Sequence, residues 1–200
     1  MRFLVLLLFP LFLAAPVRAE KDVRDQVPRQ VQLSVGTDHL FGVLQLRVRP
    51  ADLGRSSWGE LDSDGNGSLD DEEMAVLLEE IRARETASLC VAVGGGVLDF
   101  GGWPLRRTEP QTGAVPLDAA VALKVEGRVD LALAAGEHSF LFYDLPSSMD
   151  GIVPVSLRLT PGTALVGASG ARAEARSPSR LEGVLTRFNP ALWGTLRRDP

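Results

Sequence analysis

The sequence predicts a mainly β protein: an antiparallel β-sandwich with one acidic loop and one helix inserted between strands. Three observations predict it. Short runs of alternating apolar and polar residues recur down the chain, about seven or eight of them, separated by Gly, Pro, Asn, Asp and Ser. A convincing helical period occurs in one stretch only, directly after residue 73. Immediately before it, residues 62–73 read DSDGNGSLDDEE, a spacing of oxygen-bearing side chains that ordinary turns do not need.

The strand runs come in order. Val31, Leu33 and Val35 alternate with Gln32 and Ser34, Gly36-Thr37-Asp38 turns the chain, and Leu44, Leu46 and Val48 alternate with Gln45, Arg47 and Arg49. That pair reads as a hairpin closed by Pro50. Leu89 to Val93 is a further run, followed by the turn Gly94-Gly95-Gly96 and a run from Val97 to Phe100. Residues 101–113 read as a loop. Two runs follow, Val121 to Val125 and Val129 to Leu133, and then Gly136 to Tyr143 with Phe140 and Phe142 on one face. Val153, Val155, Leu157 and Leu159 form another, and Pro154 predicts an edge position or a bulge there. Residues 167–180, rich in Ala, Gly, Ser and Arg, read as a flexible loop, and residues 181–188 as a final strand.

Residues 1–19 are expected to be a signal peptide. Arg2 precedes an apolar run of about 13 residues, too short for a span of ~20, and Val17-Arg18-Ala19 places small residues around a cleavage point. The expected organisation is a signal peptide at 1–19, a mobile lead-in at 20–30, a sandwich over 31–188 with an insertion at 51–86, and a C-terminal tail at 189–200. The mature chain then has no transmembrane segment, and about 180 residues suffice for one core. Loss of Arg2 and Arg18 with the leader makes the net charge of −5 more negative still, which argues against a nucleic-acid partner. With one cysteine there is no internal disulfide, and the apolar setting of Cys90 predicts a buried, inert thiol.

No catalytic constellation stands out. His138 and Ser139 are neighbours in a strand and point to opposite faces. The Gly94 to Gly96 run lacks a following Lys-Ser/Thr, and Gly167-Ala-Ser-Gly lacks the spacing of a nucleophile elbow. Asp99 and Asp144, His39, and the tryptophans Trp58, Trp103 and Trp193 read as turn, surface or packing residues.

The loop carries the chemistry. Asp62, Asp64, Asn66, Asp70 and Glu73 stand at positions 1, 3, 5, 9 and 12, Ser68 at position 7 offers its carbonyl, and Gly67 permits the sharp turn at position 6. Leu69 at position 8 is an apolar anchor. Met74, Leu77, Leu78 and Ile81 line one face of the exiting helix, and Glu79, Glu80, Arg82 and Arg84 the other, to about Thr86. The entering helix, with Trp58 and Leu61, is weakened by Gly54, Ser56, Ser57 and Gly59. Residues 54–82 resemble an EF-hand calcium site, which implies Ca2+ held by Asp62, Asp64, Asn66, Ser68, Asp70 and Glu73, with Asp70 acting through water.

The whole arrangement of leader, strand pair, this loop and helix, the Gly turn after Val93, and Phe142-Tyr143-Asp144 also resembles a second group. It is similar to the extracytoplasmic domain of hydrogenase/urease accessory or nickel/cobalt permease-like proteins, which implies display on the outer side of a membrane. The chain departs from that group in having no following membrane helices, and His39 and His138 are too far apart in sequence to suggest a nickel site. The expected function is therefore that of an exported, calcium-binding, non-enzymatic protein, periplasmic or extracellular. The alternative is a calcium-responsive accessory domain that binds a membrane or cell-envelope protein linked to metal transport. Leu69 has no second hand to pair with, so it must pack on the sandwich or on another chain.

Overall fold

The computed structural model describes residues 29–50, 61–87, 89–108, 113–144 and 152–200. The strands begin with β1 (Arg29–Val35), β2 (His39–Val48) and the two-residue β3 (Ser68–Leu69). Helix α1 (Asp71–Thr86) follows, then β4 (Cys90–Val93), β5 (Gly96–Leu98) and a 3-10 turn at Phe100–Gly102. Next come β6 (Arg106–Arg107), β7 (Val115–Pro116), β8 (Val121–Asp130) and β9 (Gly136–Tyr143). The chain ends with β10 (Ile152–Leu159), β11 (Thr163–Gly170), β12 (Glu174–Ser177), β13 (Arg180–Thr186) and β14 (Ala191–Arg198).

The strands form a seven-stranded sheet, β12-β13-β10-β1-β2-β8-β6, a five-stranded sheet, β11-β14-β9-β4-β5, and the small pair β3-β7. All pairings are antiparallel except β1 with β10, where Val31 stands beside Val155 and Val35 beside Leu159. Buried residues alternate with more exposed ones along several long strands, as in Val31, Leu33 and Val35 of β1 and Val153, Val155, Leu157 and Leu159 of β10. They form one core with Phe140, Phe142, Leu192 and Leu196 of the other sheet. A mainly β sandwich with one loop and helix between strands is the observed architecture. No helix among the described residues is long and apolar enough to cross a membrane.

Gly42 of β2 and Gly127 of β8 are direct cross-strand partners, and together they make a shallow seat in the seven-stranded sheet. A Cβ on Gly42 would lie 2.5 Å from Leu98 and 2.7 Å from Phe100, and one on Gly127 2.8 Å from the Trp103 indole. The segment from β5 through the 3-10 turn can approach only because both positions lack a side chain.

Several expectations are corrected. The first strand starts inside the expected lead-in, at Arg29. Residues 121–130 are one strand where two runs were expected, because the alternation continues in register against β2 from Val121 to Asp130. Pro154 lies in an interior strand: it stands opposite Val184, whose N–H turns away to the Ala171 carbonyl at 2.7 Å, and it precedes the first β1 partner. The missing donor therefore costs no ladder bond on the β13 side. The expected flexible loop at 167–180 contains half of β11 and all of β12, and the expected tail at 189–200 contains β14, which sits between β11 and β9. Cys90 is exposed, because Val91 and Val93 take the inward positions of β4.

Candidate metal centre

The loop is built locally. Gly65 and Gly67 adopt φ of +70° and +81°, the left-handed backbone that a Cβ resists, and they fold the acidic segment back on itself. The Asp62 carboxylate accepts from the Asn66 N–H at 3.1 Å and the Gly67 N–H at 3.0 Å. Asp64 accepts from the Asn66 N–H at 3.0 Å and from its side-chain amide at 2.6 Å. The Asn66 side-chain oxygen accepts from the Ser68 N–H at 2.8 Å.

The exiting helix is capped by two of the same residues. Asp70 accepts from the N–H groups of Glu72 and Glu73, both at 2.9 Å, and Glu73 accepts from the Asp70 N–H at 3.1 Å, a reciprocal capping box. The second Glu73 oxygen accepts from the Ser63 N–H and hydroxyl, both at 2.7 Å. Loop closure and helix initiation thus share one carboxylate.

The fold brings Asp62, Asp64 and Glu73 together, with one oxygen from each lying within 4.8 Å of the others. Hydrogen bonds from the Asn66 backbone and side chain hold the Asp64 carboxyl below its ordinary value, and those from the Ser63 hydroxyl, then the Asp70 and Ser63 amides, do the same for Glu73. Three converging carboxylates form a hard, anionic oxygen site suited to a divalent cation, with no His or Cys in the group to favour a softer metal. Asp70 spends its carboxylate on the helix cap and stands outside this trio. Asn66 and Ser68 flank it through the turn.

Leu69 answers the question of the absent second hand. Its two-residue strand pairs within the chain, Ser68 with Pro116 and Leu69 with Val115, and Leu117 donates to the Gly67 carbonyl at 3.2 Å. The Leu69 side chain is 0% exposed. Trp58 and most of the expected entering helix lie outside the described residues, although Leu61 is helical and buried.

Helix α1 is fastened at both ends. Asp71 pairs with Arg107 of β6 at 3.2 Å, and Met74, Leu77 and Ile81 enter the core as expected. Beyond them the sequence reading missed a buried ion network. Arg29 lies 3.2 Å from Glu85 of α1 and 2.9 Å from Asp144 at the end of β9, with all three side chains almost fully buried. The signal was present. Arg29, Glu85 and Asp144 each stand in phase with inward apolar residues: two before Val31, four after Ile81 and two after Phe142.

The other candidates separate. His138 donates from Nε2 to the Ala134 carbonyl at 2.7 Å, while Ser139 takes the opposite, outward face of β9. His39 Nδ1 lies 2.6 Å from Asp38 in the β1-β2 turn. Asp99 caps the 3-10 turn by accepting from the Gly101 N–H at 2.8 Å, far from the role of a partner for Asp144.

No family model and no curated protein matches the chain. Among solved structures it is similar to an M1 zinc metallopeptidase from Deinococcus radiodurans, at 10% identity and a TM-score of 0.33, over 84% of this chain and 42% of that one. The chain therefore spans well under half the length of that peptidase. It is also similar to the Mu homology domain of Fcho1 from Danio rerio, at 8% identity and a TM-score of 0.20, over 86% of this chain and 79% of that one. Likenesses this distant define neither a shared activity nor a shared site.

Proposed function

We propose that the protein is an exported, non-enzymatic, calcium-binding β-sandwich in which a lone EF-hand-like loop binds Ca2+ and orders itself and helix α1. Asp62, Asp64 and Asn66 supply side-chain oxygens, Ser68 its carbonyl, Glu73 both carboxylate oxygens, and Asp70 acts through water. The observation that carries this reading is the convergence of Asp62, Asp64 and Glu73 within 4.8 Å. In the absence of the ion these charges repel, and coordination replaces repulsion with attraction. The pairing of β3 with β7 favours a structural role over a switch, because the surface that a second hand would cover is already occupied by Val115. Ion at a hundred times its dissociation constant adds about 2.7 kcal/mol to stability.

Calorimetry and thermal melting with calcium and with chelator test the proposal. Calcium is expected to bind with measurable heat and to raise the melting temperature. Glu73→Gln should remove that rise, whereas Ser68→Ala should keep it, since position 7 acts through the backbone. No heat at millimolar calcium and a melting temperature indifferent to chelator would overturn the reading.

A further inference from the structure

The outer face of the seven-stranded sheet carries a concavity of about 350 Å³, remote in sequence from the acidic loop. Cross-strand pairing builds its floor. Gln32 of β1, Ser156 of β10 and Glu182 of β13 stand side by side in one row, and Arg158 and Arg180 are partners in the next. Gln30 and Pro154 continue the floor into a second concavity of about 400 Å³, over β2 and β8, whose lining includes Gln45, Arg47 and Thr108. The result is an elongated trough, charged in its first half and with Leu46, Ala122 and Leu123 among the lining of its second.

Four arginines and two glutamates line the first concavity. Glu182 pairs with Arg176 at 2.9 Å and Arg180 at 2.6 Å, and Glu174 also accepts from Arg176, so these charges largely satisfy one another. Arg158 and Arg172 have no carboxylate partner among the described residues. Two free guanidinium forks in a chain of net charge −5 form a local excess of the opposite sign.

Arg172 is placed there by an unusual backbone. Ala171 and Arg172 have φ of +37° and +46°, uncommon for residues other than glycine. The bend is held by the Val184 N–H on the Ala171 carbonyl and by the buried Ala171 methyl. It turns the next side chain out over the trough. Left-handed non-glycine residues persist where the surroundings over-determine them, and they cluster at ligand sites.

We propose that this trough binds the carboxylate-bearing sugar units of an acidic saccharide. A guanidinium fork matches one carboxylate bidentately, and Gln30, Gln32 and Ser156 offer both donors and acceptors to ring hydroxyls. The volume suits one or two sugar rings, and the second concavity extends the path for a longer chain. The lining has no aromatic platform for stacked bases, which separates it from a single-stranded nucleic-acid groove.

The test is calorimetric titration of the purified full chain with galacturonate, trigalacturonate, galactose and inorganic phosphate at low salt. Galacturonate and trigalacturonate are expected to bind, the trimer more tightly if the path extends along a polymer, with affinity falling as salt rises. Arg158→Lys and Arg172→Lys should each weaken binding about tenfold by losing the bidentate contact. Arg197→Lys, on the other sheet, should leave it unchanged, and the melting temperatures should match wild type. Binding of galactose as tight as that of galacturonate, binding of phosphate without either uronate, full affinity in the Arg158/Arg172 double variant, or no uronate binding by the folded wild type would overturn the proposal.

Discussion

Glu73 serves two structures at once: it closes the acidic loop through Ser63 and caps helix α1 through the Asp70 amide. Both Glu73 and Asp64 are held below their ordinary values of 4.5 and 3.8 by donated hydrogen bonds. In the unfolded chain those bonds are absent, so the loop's advantage is fully present above the unfolded values and is lost as pH falls through the lowered, folded ones. In calcium-free protein the Ser63 and Asp70 amide shifts should therefore hold steady down to about the ordinary carboxylate range and move only below it. A transition centred above 4.5 would contradict the hydrogen-bonded loop. Gly127 makes a second residue-scale case. Adding a side chain there drives it into the Trp103 indole, 2.8 Å from the first added carbon, so Gly127→Val should destabilise by roughly 1–3 kcal/mol in chemical denaturation.

At the scale of an element, helix α1 shows how a mostly local signal acquires non-local fastenings. Its amphipathic face was legible in the spacing of Met74, Leu77 and Ile81, and its start in the Asp70 to Glu73 cap. Glu85 lies in the last turn of the same helix and drew no reading from the spacing, yet it is 0% exposed and faces Arg29, fifty-six residues away in sequence. Removing Arg29 takes away the cation that bridges buried Glu85 and Asp144, although Arg84 still lies 3.5 Å from Glu85. Arg29→Met should therefore cost about 3–5 kcal/mol and should loosen α1 and the end of β9 together, seen as lost hydrogen-exchange protection in both. The same loss with Glu85→Gln should be smaller, because the amide keeps hydrogen-bonding capacity and removes a charge.

For the whole molecule, β14 matters more than its composition suggests. Leu192 and Leu196 point inward, but the position between them is Gly194, so the apolar alternation breaks and the segment resembles a tail. Gly194 is there because a Cβ would meet the Gly167 carbonyl at 2.2 Å and the Phe140 ring at 2.8 Å. β14 joins β11 to β9, and without it the five-stranded sheet is cut in two. Deleting residues 189–200 should abolish cooperative melting and leave Phe140 and Phe142 open to solvent, detectable as dye binding and aggregation. A dispensable tail would leave the melt unchanged.

The acidic loop, its glycines, the exiting helix and the inward side of β1, β2, β9 and β10 are legible in the amino-acid sequence alone. Each of these depends on residues within about a dozen positions, where spacing alone sets geometry. The strand order, the parallel pairing of β1 with β10, the use of β7 as partner for the loop, and the meeting of Arg29, Glu85 and Asp144 emerge when the folded chain brings distant segments together. Strand ladders and buried ion pairs are completed by groups far away in the chain, so a strand with small or glycine inward residues carries too little local apolar signal to declare itself. The same reason hides the arginine-lined trough, whose residues come from four strands and one bend and meet only when the sheet is assembled.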